Sequence, residues 1–371
     1  MTSKQRLLKI LNGEIPDRVP ISTYELCGYN SKSFENTQPS YRGLMDYIRE
    51  HTDSITMYDP GEKPTLKSMM LYKNYRYKKW DEDGFHVEKI TLKTPKKELV
   101  QVCKHNDSVM TTWKVEHFCK DSDDIDAYMS MSFVPAKYDF SDYKRIKNEL
   151  GDNGIVMSTI PDPICAAMDL IEFGEGTVWA YCEPEHFKKT LDELHRRQMI
   201  NLKNMLETQV VDMYRVCGPE YATPPYMPPE FFKKYVYPYL CEITDLIHSY
   251  GAKVRIHSHG KIGQVLDMII DSGADAIDPC EAPPDGDIAL ADVKKRVDGR
   301  LTIFGNLQLK LLENGTKDEV RQEVIKCMES AKDGGRYVIM PTASPINIPL
   351  SPKTEENYKV FIDTALEYGR Y

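Results

Sequence analysis

Residues Lys253-Val254-Arg255-Ile256-His257-Ser258-His259-Gly260 and, one short helical segment later, Ser272-Gly273-Ala274-Asp275-Ala276-Ile277-Asp278-Pro279 decide the fold. Each stretch is a short apolar run closed by turn residues, and the segment 261–272 between them has helical spacing. A strand, a helix and a second strand imply parallel pairing with a right-handed crossover. The same rhythm extends in both directions. Strands are expected at Ile155–Ile160, Val210–Val216, Lys253–His257, Ala276–Pro279, Leu301–Phe304 and Tyr337–Met340. Helices are expected at 184–207, 227–250, 261–272, 287–297, 316–332 and 354–368. The helix from Met227 opens on Pro228-Pro229-Glu230, which suits a first turn, and stops at Gly251.

Towards the N-terminus, residues 1–13 have the pattern of a short helix ended by Gly13. A turn through Pro16-Asp17-Arg18-Val19-Pro20 leads into a strand from Ile21 to Tyr24. Another strand, Ser54–Tyr58, runs up to Asp59-Pro60. With these two, the strands number eight, which predicts an α/β fold. The expected architecture is a (β/α)8 TIM barrel with an N-terminal extension, one domain over 1–371. An open doubly wound sheet is the alternative, but no GxGxxG follows any strand. Residues 72–118 differ: alternating β-branched residues around Asp-Gly and Asn-Asp turns predict an antiparallel β-ribbon insertion.

A length of 371 residues suits such a barrel. The formal net charge of −9 argues against coating nucleic acid, which needs clustered Lys and Arg. No apolar run approaches the ~18 residues of a membrane span, so no membrane partner is expected. The nine cysteines include no CxxC pair, and the N-terminus has no apolar run of signal-peptide length. Reduced thiols and a cytoplasmic location are therefore expected.

Barrel enzymes work at the C-terminal ends of their strands. Here those ends deliver Tyr24 and Glu25, Asp59, Asp162, Glu220, His257 and His259, Cys280 and Glu281, and Asn306. His257 and His259 sit at i and i+2 of one strand and so point the same way. Two neutral imidazoles can chelate one metal, zinc commonly. The alternative is a solvated pair beside a turn glycine. Glu220 and Cys280 are the candidate further ligands, although a cysteine at a strand end also serves as a small buried hydrophobe. Glu220 follows Gly218-Pro219 and is equally a candidate general base or ion-pair partner; Glu281 is a second candidate acid. Glu25, Asp59, Asp162, Asn306 and Tyr24 are candidates for substrate contact. Asp59 and Asp162 each precede a proline and could instead cap turns. Asn306 could tie loops together, and Tyr24 could pack on the rim.

These residues carry a resemblance. Arg6-Leu7-Leu8, Leu11-Asn12-Gly13 and Pro16-Asp17-Arg18-Val19-Pro20 resemble the opening of the uroporphyrinogen decarboxylase superfamily. His257-Ser258-His259-Gly260-Lys261-Ile262, Ser272 to Ile277, Phe304-Gly305-Asn306 and Glu355-Glu356-Asn357-Tyr358 fit the same pattern. The resemblance implies a (β/α)8 barrel, often a homodimer. It also implies one of two chemistries. True decarboxylases carry a Met-Arg-Gln-Ala-Gly-Arg segment whose arginines hold substrate carboxylates, and a late Gly-His-Gly. Here those segments read Ile21-Ser22-Thr23-Tyr24-Glu25-Leu26-Cys27-Gly28 and Thr342-Ala343-Ser344-Pro345. A highly anionic porphyrinogen would also meet a rim of carboxylates.

The other branch holds zinc methyltransferases that serve corrinoid proteins. They use His-x-Cys at the fifth strand and a second Cys at the eighth. This chain keeps His257 but has His259 for the first Cys and no Cys near Ala343. The set Glu220, His257, His259 and Cys280 would be harder, and harder ligands suit an oxygen-bearing substrate. The expectation is methyl transfer from a small methylated, methoxylated compound to cobalamin on a partner corrinoid protein, with zinc as Lewis acid. A metal-free decarboxylase-like lyase on a porphyrinogen-type substrate is the alternative, and a non-catalytic binding barrel is the third reading.

Overall fold

The computed structural model describes residues 1–371. In chain order its strands are β1 (Ser54–Met57), β2 (Gly61–Glu62), β3 (Tyr75–Glu82), β4 (Phe85–Lys93), β5 (Glu98–His105), β6 (Trp113–Glu116) and β7 (Tyr138–Asp139). They continue with β8 (Gly154–Pro161), β9 (Met213–Cys217), β10 (Lys253–Ser258), β11 (Ala276–Pro279), β12 (Thr302–Leu307) and β13 (Tyr337–Pro341). Seven of them form one curled sheet in the order β1-β8-β9-β10-β11-β12-β13. Every pairing in it is parallel. Helices Pro184–Thr208, Tyr237–Ser249, Leu266–Asp271, Leu290–Val297 and Lys317–Ala331 make crossovers, and Pro352–Tyr368 follows β13. The fold is therefore a TIM-barrel-like α/β fold.

The expected strand Ile21–Tyr24 shrinks to one bridging residue. Ile21 bridges in parallel to Ile339 of β13, and Ser22 N–H donates to the Ile339 carbonyl at 3.0 Å. On its other side, Asp53 N–H donates to the Ile21 carbonyl at 2.8 Å. Ile21 N–H donates back to the Asp53 carboxylate at 2.9 Å. Residues 20–22 thus join the two edges of the sheet. The run stops because Pro20 has no N–H and Tyr24 adopts a left-handed conformation (φ 58°) that turns the chain across the strand ends. Asp53 is fully buried and is held by Arg6 at 2.6 Å and Arg18 at 2.7 Å.

The first helix, Ser3–Leu11, starts with a capping box at Thr2 and Gln5 and closes the floor of the barrel. Its Leu7, Ile10 and Leu11 join Ile55, Ile155, Met157, Met213, Ala276, Phe304, Val338 and Met340 in an interior cluster. The alternate strand residues, Val254, Ile256, Ile277 and Ile303 among them, pack outward under the helices. The expected helix 227–250 is broken into Pro229–Tyr235 and Tyr237–Ser249. Pro238 cannot donate to the turn before it, and the chain kinks at Val236. Strands β3 to β6 form a four-stranded antiparallel sheet inside the expected 72–118 segment, with Asp83-Gly84, both at positive φ, turning the first hairpin. No helix is long and apolar enough to cross a membrane.

Candidate active site at the strand ends

Register builds the site. Arg215 of β9 lies opposite Arg255 of β10, and Cys217 lies opposite His257. On the other side of β10, His257 lies opposite Asp278 of β11. Residues two apart share a face. Arg255 and His257 therefore rise from the same interior face, above the apolar layer topped by Phe304. The Arg255 guanidinium sits 5.0 Å from the Phe304 ring centroid.

Asp278 links the two. Its Oδ2 accepts from His257 Nδ1 at 2.9 Å, and its Oδ1 lies 2.9 Å from Arg255 Nε. The carboxyl is fully buried. Burial alone would raise its pKa, but the charges of Arg255, His257 and Arg215 and the His257 hydrogen bond outweigh that and hold it well below the usual range. An ionised carboxylate only accepts, so His257 must carry its proton on Nδ1. Its Nε2 has no partner in the chain.

His259 stands edge-on to His257, with ring centroids 4.7 Å apart and planes at 86°. Its Nδ1 lies 3.1 Å from Glu281 Oε2. Burial lowers the pKa of His259, but the Glu281 bond and the charges of Glu281, Asp278 and Glu220 raise it further, for a net rise. For Glu281, burial raises the pKa, and His259, the Gly260 N–H and the His257 charge bring it below its ordinary value. Both shifts favour the proton on His259 and the charge on Glu281, which sequence offered as a candidate acid.

Tyr24 and Glu25 reach this centre from the loop after Ile21. The Tyr24 ring lies 6.1 Å from the His257 ring and 5.5 Å from the Arg215 guanidinium. Glu25 Oε1 accepts from Arg215 Nη2 at 2.7 Å. Glu220 sits on a 3-10 turn, Pro219–Ala222, and its Oε2 accepts the Gly218 N–H at 3.0 Å.

The remaining expected residues lie apart. Cys280 is fully buried in the large core under the helices, and burial pushes its thiol pKa up. It serves as the small hydrophobe of the alternative reading. Asn306 donates to the Cys280 carbonyl at 2.8 Å and accepts from the Cys327 thiol at 3.5 Å, so it ties two segments together. Asp162 caps helix Pro163–Leu170 through the Cys165 N–H at 2.8 Å. Burial pushes its carboxyl well above the usual carboxylate range. Asp59 accepts the Thr159 N–H at 2.8 Å and lines a side cavity of about 270 Å3 with Gln198, Met199 and Leu202.

The donor set can be tested against zinc. The two imidazoles suit it: each has a carboxylate at Nδ1, the arrangement that orients a metal-binding histidine. The other two expected ligands do not suit it. Cys280 belongs to the outer core, and Glu220 is turned back onto its own loop. No group of three or more His, Cys, Asp or Glu side chains is arranged to hold a metal ion, so the expected four-ligand set does not assemble.

Sequence reasoning passed over Arg215 and Arg255, and it placed Asp278 at a strand end without giving it a role. The signal was present: a cation in the middle of an otherwise apolar strand, at Met213-Tyr214-Arg215-Val216-Cys217 and again at Lys253-Val254-Arg255-Ile256-His257. A charge at such a position needs a buried partner.

The model of the uroporphyrinogen decarboxylase (URO-D) family matches residues 114–368, and the chain belongs to that family. Among solved structures, a methyltransferase from Methanosarcina mazei shares the fold over 99% of both chains, with a TM-score of 0.63 and 16% identity. A D-psicose 3-epimerase matches at a TM-score of 0.37 and 11% identity, over 62% of this chain and 83% of its own. No curated protein matches the sequence.

Proposed function

We propose that this URO-D family member is a methyltransferase. In this reading it moves a methyl group from a small methoxylated compound to a cob(I)alamin-type corrinoid carried by a partner protein. The observation that carries the chemistry is the pair of carboxylate-backed imidazoles, His257–Asp278 and His259–Glu281, at the strand ends. The decarboxylase arginines are not in the Ile21–Gly28 segment, and fold likeness to a methyltransferase over the full chain agrees with this branch.

An alkoxide or phenoxide leaves poorly unless its oxygen is neutralised. His259, its pKa raised by Glu281, supplies a proton to that oxygen as the methyl carbon departs to cobalt. His257, fixed by Asp278, presents Nε2 beside it and orients the donor. The two imidazoles are the only expected zinc ligands that the strand ends bring together, so in this reading the leaving group is carried by the His259 proton.

The test is methyl transfer from methoxylated compounds to free cob(I)alamin, followed by the loss of the Co(I) absorbance. His257→Ala should abolish transfer with the fold intact. Normal turnover by that variant, or carbon dioxide release from a porphyrinogen without methyl transfer, overturns the reading.

A further inference from the structure

Arg215 is only 6% exposed, yet two of its nitrogens have no hydrogen-bond partner. Nε and Nη1 are both buried and bond to nothing; Nη2 alone is used, by Glu25. Buried donors are nearly always paired, and a guanidinium cannot escape by losing its proton. These two donors are therefore open to a partner from outside the chain.

The surrounding groups cannot supply it. Asp278 Oδ2 accepts from His257, and its Oδ1 is ion-paired with Arg255 at 2.9 Å; Glu281 is ion-paired with His259. Glu220 holds the Gly218 N–H, and Asp59 the Thr159 N–H. Burial pushes the neighbouring Cys217 thiol up to about 12, so it is uncharged. Glu25 itself is a poor occupant. It makes one contact where a carboxylate can make two, and its side chain is 45% exposed against 8% for Arg215. Nη2 is shared by both forks of a guanidinium, so Glu25 leaves neither fork filled.

We infer that Arg215 anchors a carboxylate of the substrate, and that Glu25 occupies that place until the substrate arrives. The incoming carboxylate takes two N–H groups, and Glu25 swings into solvent. Tyr24 sets the length of the molecule. Its ring lies 5.5 Å from the Arg215 guanidinium and 6.1 Å from the His257 ring, so one small molecule along its face reaches both. The substrate class is thus a small methylated carboxylic acid with its anion at Arg215 and its methylated atom at the histidines. A polyanion does not fit a site whose guanidinium already faces the carboxylates of Glu25 and Asp278.

The methylated end rests on the methyltransferase reading; the anion site rests on geometry alone. The experiment is therefore a binding one, calorimetry on the full chain with methoxyacetate and 4-methoxybenzoate against their amides. The acids should bind at least tenfold tighter than the amides. Glu25→Gln removes the internal competitor and should tighten acid binding several-fold, while Arg215→Gln should erase the preference for acid. Should Arg215→Gln fail to fold, the gain in Glu25→Gln still decides. Equal binding of acid and amide, no acid binding, or weaker acid binding in Glu25→Gln overturns the inference. Acid-selective binding without any methyl transfer would keep the inference and overturn the proposed function.

Discussion

Asp278 receives the Nδ1 proton of His257 at 2.9 Å while its second oxygen faces the buried guanidinium of Arg255 at the same distance. One carboxylate on β11 thus fixes the tautomer of the site histidine and neutralises a cation that could not otherwise be buried. The two tasks separate experimentally.

Asp278→Asn keeps the size but removes the charge. Arg255 is then buried without a counter-ion, a change that costs about 3–5 kcal/mol. A urea or thermal melt should show that loss. His257→Ala leaves the Arg255 pair intact, so its melt should stay close to wild type while methyl transfer is abolished.

Acid stability follows from the same carboxylate. Asp278 has a folded pKa below its unfolded value near ~3.9. Its contribution is complete above that unfolded value and is lost as pH falls through the folded one. Melting temperature should hold down to about pH 4 and drop below it, and Asp278→Asn should flatten the drop.

The rate should depend on His259 in the opposite sense. Its pKa is raised above the ordinary ~6.5, so the proton donor persists to higher pH than in a free imidazole and is lost as pH rises through the raised value. Any stabilisation from the His259–Glu281 contact is likewise present below ~6.5 and lost on the alkaline side. Glu281→Gln removes the charge that retains the proton. The alkaline limb of a kcat–pH profile should move to lower pH in that variant; an unmoved limb would take His259 out of the proton-donor role.

Metal content offers a direct check on the ligand geometry. Chelation should leave the melting temperature and the transfer rate unchanged. One zinc per chain in the wild type, lost in His257→Ala, would show that a third ligand reaches the two imidazoles and would restore Lewis-acid chemistry.

Gly218 shows how tightly the rim is built. At φ +123°, an added Cβ would meet Asp162 Oδ1 at 2.1 Å and Cys165 Cβ at 2.4 Å. Gly218→Ala should lower stability by about 2–4 kcal/mol through strain and overpacking, measured by denaturant titration. It should also displace Glu220, whose carboxylate holds that residue's N–H.

Much of this was legible in the sequence. The alternation of short apolar runs with helical segments from about residue 150 onward determined six parallel strands, β8 to β13, because strand burial and helix crossover depend on local pattern. The β-ribbon showed in its Asp-Gly turn. The nearness of His257 and His259 showed in their spacing, although His259 lies one residue past the end of β10 and its ring stands edge-on to that of His257. Apart from Ser3–Leu11, the short helices before residue 184, such as Arg42–His51 and Ser122–Met129, were missed because each is under three turns and draws its stability from packing.

Only the tertiary structure decided which strand ends meet. Asp278 and His257 are 21 residues apart and touch through inter-strand register. Arg215 and Glu25 are 190 apart and meet because the barrel closes. Cys280 lies one residue from Glu281, yet it faces the helices while Glu281 meets His259. A list of residues at strand ends fixes the chemistry available. The register between strands and the side each residue faces select which of those groups act together, and both are set by packing across the whole chain.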